Sequence, residues 1–209
     1  MPKTTNICIW GDSITYGAWD TEGGWADRLR RFLHDRTISS KFSEYFWVYN
    51  LGIPGETSRD ILARFDGECT PRKPQIIIFG VGVNDSAKRI NENDRPSCVP
   101  IDEFEKNITT LLDKAVVAGA QPIFMSLVYV DDEGAQRFEA SDNISFAHEE
   151  MLAYNAVLER VCAARNVPVI DVLNLLSNED LIDGLHPNAS GNFKIFEAVR
   201  DSLTAQGVL

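Results

Sequence analysis

The sequence predicts an α/β fold, a single domain over residues 1–209 in which one parallel five-stranded sheet is covered by helices on both faces. Three observations lead there. Short runs rich in β-branched or aromatic residues recur at 7–10, 45–51, 75–80, 121–128 and 167–172, each separated from the next by a helix-length segment. The intervening segments carry apolar residues at helical spacing. The chain has 209 residues, 44% hydrophobic and 24% charged, enough for one sizeable core, with no internal repeat, low-complexity tract or linker.

Taken in order, the segment after the first strand places Trp25, Leu29, Phe32 and Leu33 on one helical face, and the segment after the second does the same with Ile61, Leu62 and Phe65. Thr57 with Asp60 reads as a capping box at the start of that second helix. Asp102 with Glu105 reads as another before a third helix carrying Phe104, Ile108, Leu111 and Ala115, which Gly119 ends. Met151, Leu152, Asn155, Leu158 and Cys162 outline a fourth helix, and Phe193, Phe196, Val199 and Leu203 a last one. Two connections, 86–100 and 129–146, are longer than an α/β unit needs, and long loops in compact domains often carry function.

Charge and cysteine usage exclude several classes. Acidic residues outnumber basic ones by 31 to 20, a net charge of −11, so phosphate backbones and anionic lipid surfaces are repelled; no nucleic-acid partner and no stable membrane insertion are expected. The apolar stretch 7–10 is too short for a signal-peptide core or a bilayer span. Cys8, Cys69, Cys98 and Cys162 are scattered without zinc spacing and read as reduced thiols, which points to the cytoplasm. Asp131, Asp132 and Glu133 lack a cation-loop pattern and read as a solvated loop, so no metal is expected.

Four strand-end segments hold the candidate chemistry. The first strand runs into Gly11-Asp12-Ser13-Ile14-Thr15, which puts a serine where open α/β sheets bind ligands, although Gly-Asp-Ser alone is equally well a turn. The second leads to 50–57, where Gly55 can bring its main-chain N–H close to a ligand just before a helix. The third leads to Gly82-Val83-Asn84-Asp85, where Asn84 offers an amide donor or an Asx turn. In a flavodoxin-like strand order, 2-1-3-4-5, these three ends are neighbours at one crevice. Near the C-terminus, Asp183-Gly184-Leu185-His186-Pro187 lets a carboxylate accept from imidazole Nδ1–H while Nε2 faces outward. His34 and His148 lie on or beside helices, where solvent-facing roles are favoured.

Together and in this order, the four segments resemble the nucleophile, glycine, GxND and DxxHP blocks of the SGNH (GDSL) hydrolase family, from about residue 7 to the chain end. The resemblance implies Ser13 as nucleophile, His186 as general base and Asp183 as its orienting acid. It further implies an oxyanion hole made by the Ser13 and Gly55 main-chain N–H groups and the Asn84 amide, with Gly52 as the fallback for Gly55. The implied reaction is hydrolysis of a small-molecule carboxylic ester, thioester or O-acetyl group through an acyl-enzyme without a cofactor. Short-chain esters are preferred because no long apolar lid is visible. An α/β-hydrolase is disfavoured by the early serine and the missing GxSxG elbow, and a phosphatase or kinase by the missing phosphate loop and the missing cluster of metal carboxylates at the strand ends. A catalytically silent flavodoxin-like binding module is the alternative. Trp10, Trp19 and Trp25 read as core. A monomer and a small homo-oligomer fit the sequence equally.

Overall fold

The computed structural model describes residues 3–92 and 96–209. Among them the chain runs β1 (Lys3–Gly11), α1 (Ser13–Tyr16), α2 (Gly24–Ser39), β2 (Glu44–Gly52), α3 (Ser58–Arg72), β3 (Ile76–Gly80), α4 (Val83–Ser86), β4 (Lys88–Arg89), α5 (Ile101–Val117), β5 (Gln121–Met125), α6 (Arg137–Ser141), β6 (Ile144–Ser145), α7 (His148–Ala164), β7 (Val169–Ile170) and α8 (Ala189–Ala205). The main sheet has the order β2-β1-β3-β5-β7 and every pairing in it is parallel. This is the expected 2-1-3-4-5 arrangement, counted over the five long-range strands.

The core follows the predicted faces. Ile7, Cys8, Ile9 and Trp10 are fully buried on both sides of β1, as a central parallel strand requires. Trp25, Leu29 and Leu33 of α2, Ile61 and Phe65 of α3, and Phe104, Ile108, Leu111 and Ala115 of α5 are all buried. Helices α2 and α8 pack together, while α5 packs against both α3 and α7, giving a helical layer on each face.

Local signals met different fates. The Thr57–Asp60 capping box forms, and Gly119, at φ 77°, ends α5 with the paired Gly119-to-Val116 and Ala120-to-Ala115 main-chain bonds of a Schellman turn. The Asp102–Glu105 box does not form: α5 begins at Ile101 behind Pro100, leaving Asp102 to pair with Lys106 and Glu105 with Arg160. The fourth strand stops at Met125 rather than at 128, because the Ser126 hydroxyl accepts the Val172 and Leu173 N–H groups at 2.8 and 3.0 Å and so replaces a strand carbonyl. Phe32, Leu152 and Phe193 lie on their helices but are exposed.

Two features position the site. Gly11, Gly52 and Gly80 end β1, β2 and β3 in the same register. A Cβ on Gly11 would stand 2.1 Å from Thr15 Oγ1, and one on Gly52 2.4 Å from the Tyr16 nitrogen. These glycines therefore let α1 settle directly on the carboxyl edge of the sheet. The second feature was not foreseen: β4 and β6 pair antiparallel, Lys88 with Ser145 and Arg89 with Ile144, tying the two long loops to each other.

Candidate active site

Ser13 is the first residue of α1, immediately beyond β1. The buried Asp12 carboxylate caps that turn by accepting the Ile14 N–H at 2.9 Å, and Gly17 closes it in the left-handed conformation. Burial pushes Asp12 up to about 6, against the opposing effects of the Ile14 N–H and of His186.

Ser13 Oγ lies 2.8 Å from His186 Nε2, and His186 Nδ1 lies 2.8 Å from Asp183 Oδ2. The other Asp183 oxygen accepts the main-chain N–H groups of Leu185 and His186 at 3.1 and 2.8 Å. Burial raises the Asp183 carboxyl, but the His186 ring and these N–H groups outweigh it and hold the group below the usual carboxylate range. An ionised Asp183 makes Nδ1 the protonated ring nitrogen, which leaves Nε2 to accept the Ser13 hydroxyl hydrogen. The loop bearing both residues is closed by an Ile182 N–H to His186 carbonyl bond at 2.8 Å. It also leans on the second long connection: the Asp131 N–H donates to the Gly184 carbonyl at 2.9 Å.

The remaining predicted residues converge on the same place. Ser13, Gly55, Asn84 and His186 line one cavity of about 430 Å³. Gly55 turns there at φ 81°, a conformation that favours glycine, whereas the Gly52 N–H is taken by Asn50 Oδ1 at 3.0 Å. Asn84 Nδ2 donates one hydrogen to the Glu56 carbonyl at 3.0 Å, which ties Asn84 to the Gly55 turn and leaves its second amide hydrogen for a ligand. Such a constellation can activate a hydroxyl for attack on a carbonyl and meet the developing oxyanion with three N–H donors.

For the walls the sequence marked the 129–146 connection but not the residues within it that line the cavity. Trp10 and Trp25 are core, but Trp19 is 68% exposed, held at φ 65°, and meets His186 edge-on at 6.2 Å. Phe138 of α6 flanks the same imidazole at 6.1 Å, and Tyr16, Ile144, Phe146 and Leu185 complete an apolar lining. Loop aromatics in a nonperiodic segment give no pattern to read; only the length of the 129–146 connection and the proximity of Trp19 to Ser13 in the chain were available. His34 is exposed as expected. His148 is instead half-buried against Tyr129, and its Nδ1 is buried without a partner among the described residues. Asp132 is more than a solvated loop residue, since it accepts the His148 N–H at 2.6 Å at the start of α7.

Residues 9–192 match the GDSL-like Lipase/Acylhydrolase family. Esterase TesA of Pseudomonas aeruginosa is 23% identical over 198 residues, covering 94% of this chain and 87% of that protein. Among solved structures, the lipase/acylhydrolase of Enterococcus faecalis superposes with a TM-score of 0.75 at 23% identity, covering 97% of this chain and 96% of that one. An acetylxylan esterase of Geobacillus stearothermophilus superposes at 0.73 and 20% identity, covering 97% and 95%; both share the fold. The chain belongs to the GDSL-like lipase/acylhydrolase family and is an ester-cleaving serine hydrolase.

Proposed function

We propose that Ser13, His186 and Asp183 carry out the hydrolysis, on esters whose acyl group is short and apolar. The observation that carries this reading is the Ser13–His186–Asp183 chain of 2.8 Å contacts, whose Ser13 and His186 line a largely apolar cavity. Ser13 Oγ attacks the ester carbonyl carbon while its proton passes to His186 Nε2; Asp183 stabilises the imidazolium that forms. The Ser13 and Gly55 N–H groups and the Asn84 amide take the negative oxygen, charge that exists only near the transition state. His186 returns the proton to the departing alcohol. A water activated by the same nitrogen then releases the acid and restores Ser13.

The acyl group is placed between Trp19 and Phe138. A second reading, removal of an O-acetyl group from a polyhydroxylated carrier, is favoured by a cleft of about 480 Å³ that shares Gly55 and Asn84 with the first cavity. Thr57, Arg59, Asp60, Asn91 and Asn143 give that cleft a polar wall suited to hydroxyl groups.

The test is a p-nitrophenyl ester series from acetate to palmitate beside an acetylated sugar, on the native protein and on Ser13→Ala. Turnover that peaks at short acyl lengths and vanishes in Ser13→Ala supports the first reading. A strong preference for the acetylated sugar selects the second. Full activity in Ser13→Ala overturns both.

A further inference from the structure

Two of the three N–H donors, on Gly55 and Asn84, belong to separate segments, and a buried carboxylate joins those segments from within the core. Asp85, the residue after Asn84, is wholly buried, as is Ser58, the first residue of α3 and the third after Gly55. Both Asp85 oxygens accept the Ser58 main-chain N–H, at 3.1 and 3.0 Å. The Ser58 hydroxyl also donates to Asp85 Oδ1. Asn107 of α5 donates to Ser58 Oγ at 2.8 Å, so the hydroxyl accepts from one side and spends its only hydrogen on Asp85. On the cavity side of the same junction stands the Asn84-to-Glu56 bond. The Asp85 carbonyl accepts the Val99 N–H at 3.2 Å, which fastens the end of the 86–100 connection as well.

We propose that Asp85 is a positioning residue for ester hydrolysis: with Ser58 and Asn107 it locks the Gly55 turn against the Asn84 turn, so that both donors point at one oxygen. The proposal rests on the serine mechanism above and concerns how its oxyanion site is held. Oxyanion donors act only when they lie 2.7–3.1 Å from the charged oxygen, and displacement of about 1 Å costs roughly 10² in rate. Neither turn belongs to a long element that would fix it: Gly55 sits in an irregular connection and α4 is four residues long. A carboxylate in a dry interior is costly unless its bonds are used. Burial raises Asp85 to about 7 against the Ser58 bonds, with Asp12 adding to the rise. Asp12 caps the turn that bears Ser13, so each donor-bearing segment has a buried acid behind it.

The experiment compares Asp85→Asn, Ser58→Ala and Asn107→Ala, each alone and combined with Asn84→Ala, on the best p-nitrophenyl ester. We expect Asp85→Asn to lower kcat by roughly 10–10² with KM within about twofold, the pattern of an interaction made only in the transition state. Inhibition by an aryl boronic acid, which forms a tetrahedral adduct on serine, should weaken by a similar factor. With Asn84 already removed, the Asp85→Asn factor should shrink to about two- to threefold, because residues acting as a unit are not additive. Ser58→Ala should show the same pattern with a smaller factor, and it decides the matter should Asp85→Asn fail to fold. Unchanged kcat, or an equal loss with and without Asn84, overturns the positioning role. Failure of the serine mechanism itself is read separately, as activity retained in Ser13→Ala.

Discussion

The hydrogen-bonded centre and the pocket wall in front of it are built by different means. Ser13, Asp183 and His186 are buried residues on a strand end and one tight loop, and each is held by directional bonds of 2.8–3.1 Å. Trp19, Phe138, Ile144 and Phe146 come from loops and short elements, and they meet the site through apolar contact. Directional bonds with one good geometry make the chemistry intolerant of change, while nondirectional contact lets the wall vary without disturbing the centre. The comparison predicts where substitutions abolish turnover and where they redirect it.

The sharpest way to break the comparison is at the centre. Ser13→Ala and His186→Ala are each expected to lower kcat by at least 10³, and the double variant by little more than either alone, since the pair acts as a unit. A multiplicative double variant would show that the two residues do not act together. Asp183→Asn should cost on the order of 10² to 10⁴ in kcat with the fold retained, because an amide no longer selects the Nδ1–H tautomer. Equal kcat in Asp183→Asn would remove the acid from the mechanism.

At the wall the expected effects are smaller and of another kind. Trp19→Ala and Phe138→Ala should shift the ranking of acyl lengths by about tenfold in kcat/KM, the worth of one or two methylenes in an apolar pocket. A uniform loss across all lengths would instead assign them to holding His186. The smallest effect concerns stability. The folded Asp85 carboxyl is raised to about 7 from its ordinary 3.8, so the folded chain binds that proton more tightly than the unfolded chain. The resulting stabilisation is complete below about pH 4 and is lost as pH rises through about 7. The Tm advantage of the native protein over Asp85→Asn should therefore be larger at pH 5 than at pH 8. An equal difference at both would mean the carboxyl is not raised.

Much of this was legible in the chain. The alternation of strand and helix patterns foretold the parallel sheet, because a buried parallel strand must be apolar on both faces and its helices on one. Ser13, Gly55 and Asn84 lie in glycine- or turn-rich segments just past apolar runs, each of which alone reads equally well as a turn; it was the resemblance of these segments and of the Asp183–His186 block, together and in order, to the blocks of the family that singled the five residues out. The Asp102–Glu105 cap was misread because an Asp near a helix start serves equally well inside the first turn, and Pro100 set the boundary. Trp19 was misread because an aromatic residue looks the same in sequence whether it fills a core or walls a pocket.

The amino-acid sequence by itself determined the layered α/β architecture and the kind of polar groups at the strand ends, since these rest on periodicity and on residue types confined to short segments, whereas the strand order was an assumption of a flavodoxin-like arrangement that the sheet pairing then bore out. Only the tertiary structure decided that the two long connections join through β4 and β6, that Trp19 and Phe138 bracket His186, and that Asp85 reaches Ser58 and, through it, Asn107. Those contacts link residues 27 to 167 positions apart or oppose loops without a repeat. Distance and angle between such partners are set by packing of the whole core, which no local pattern encodes.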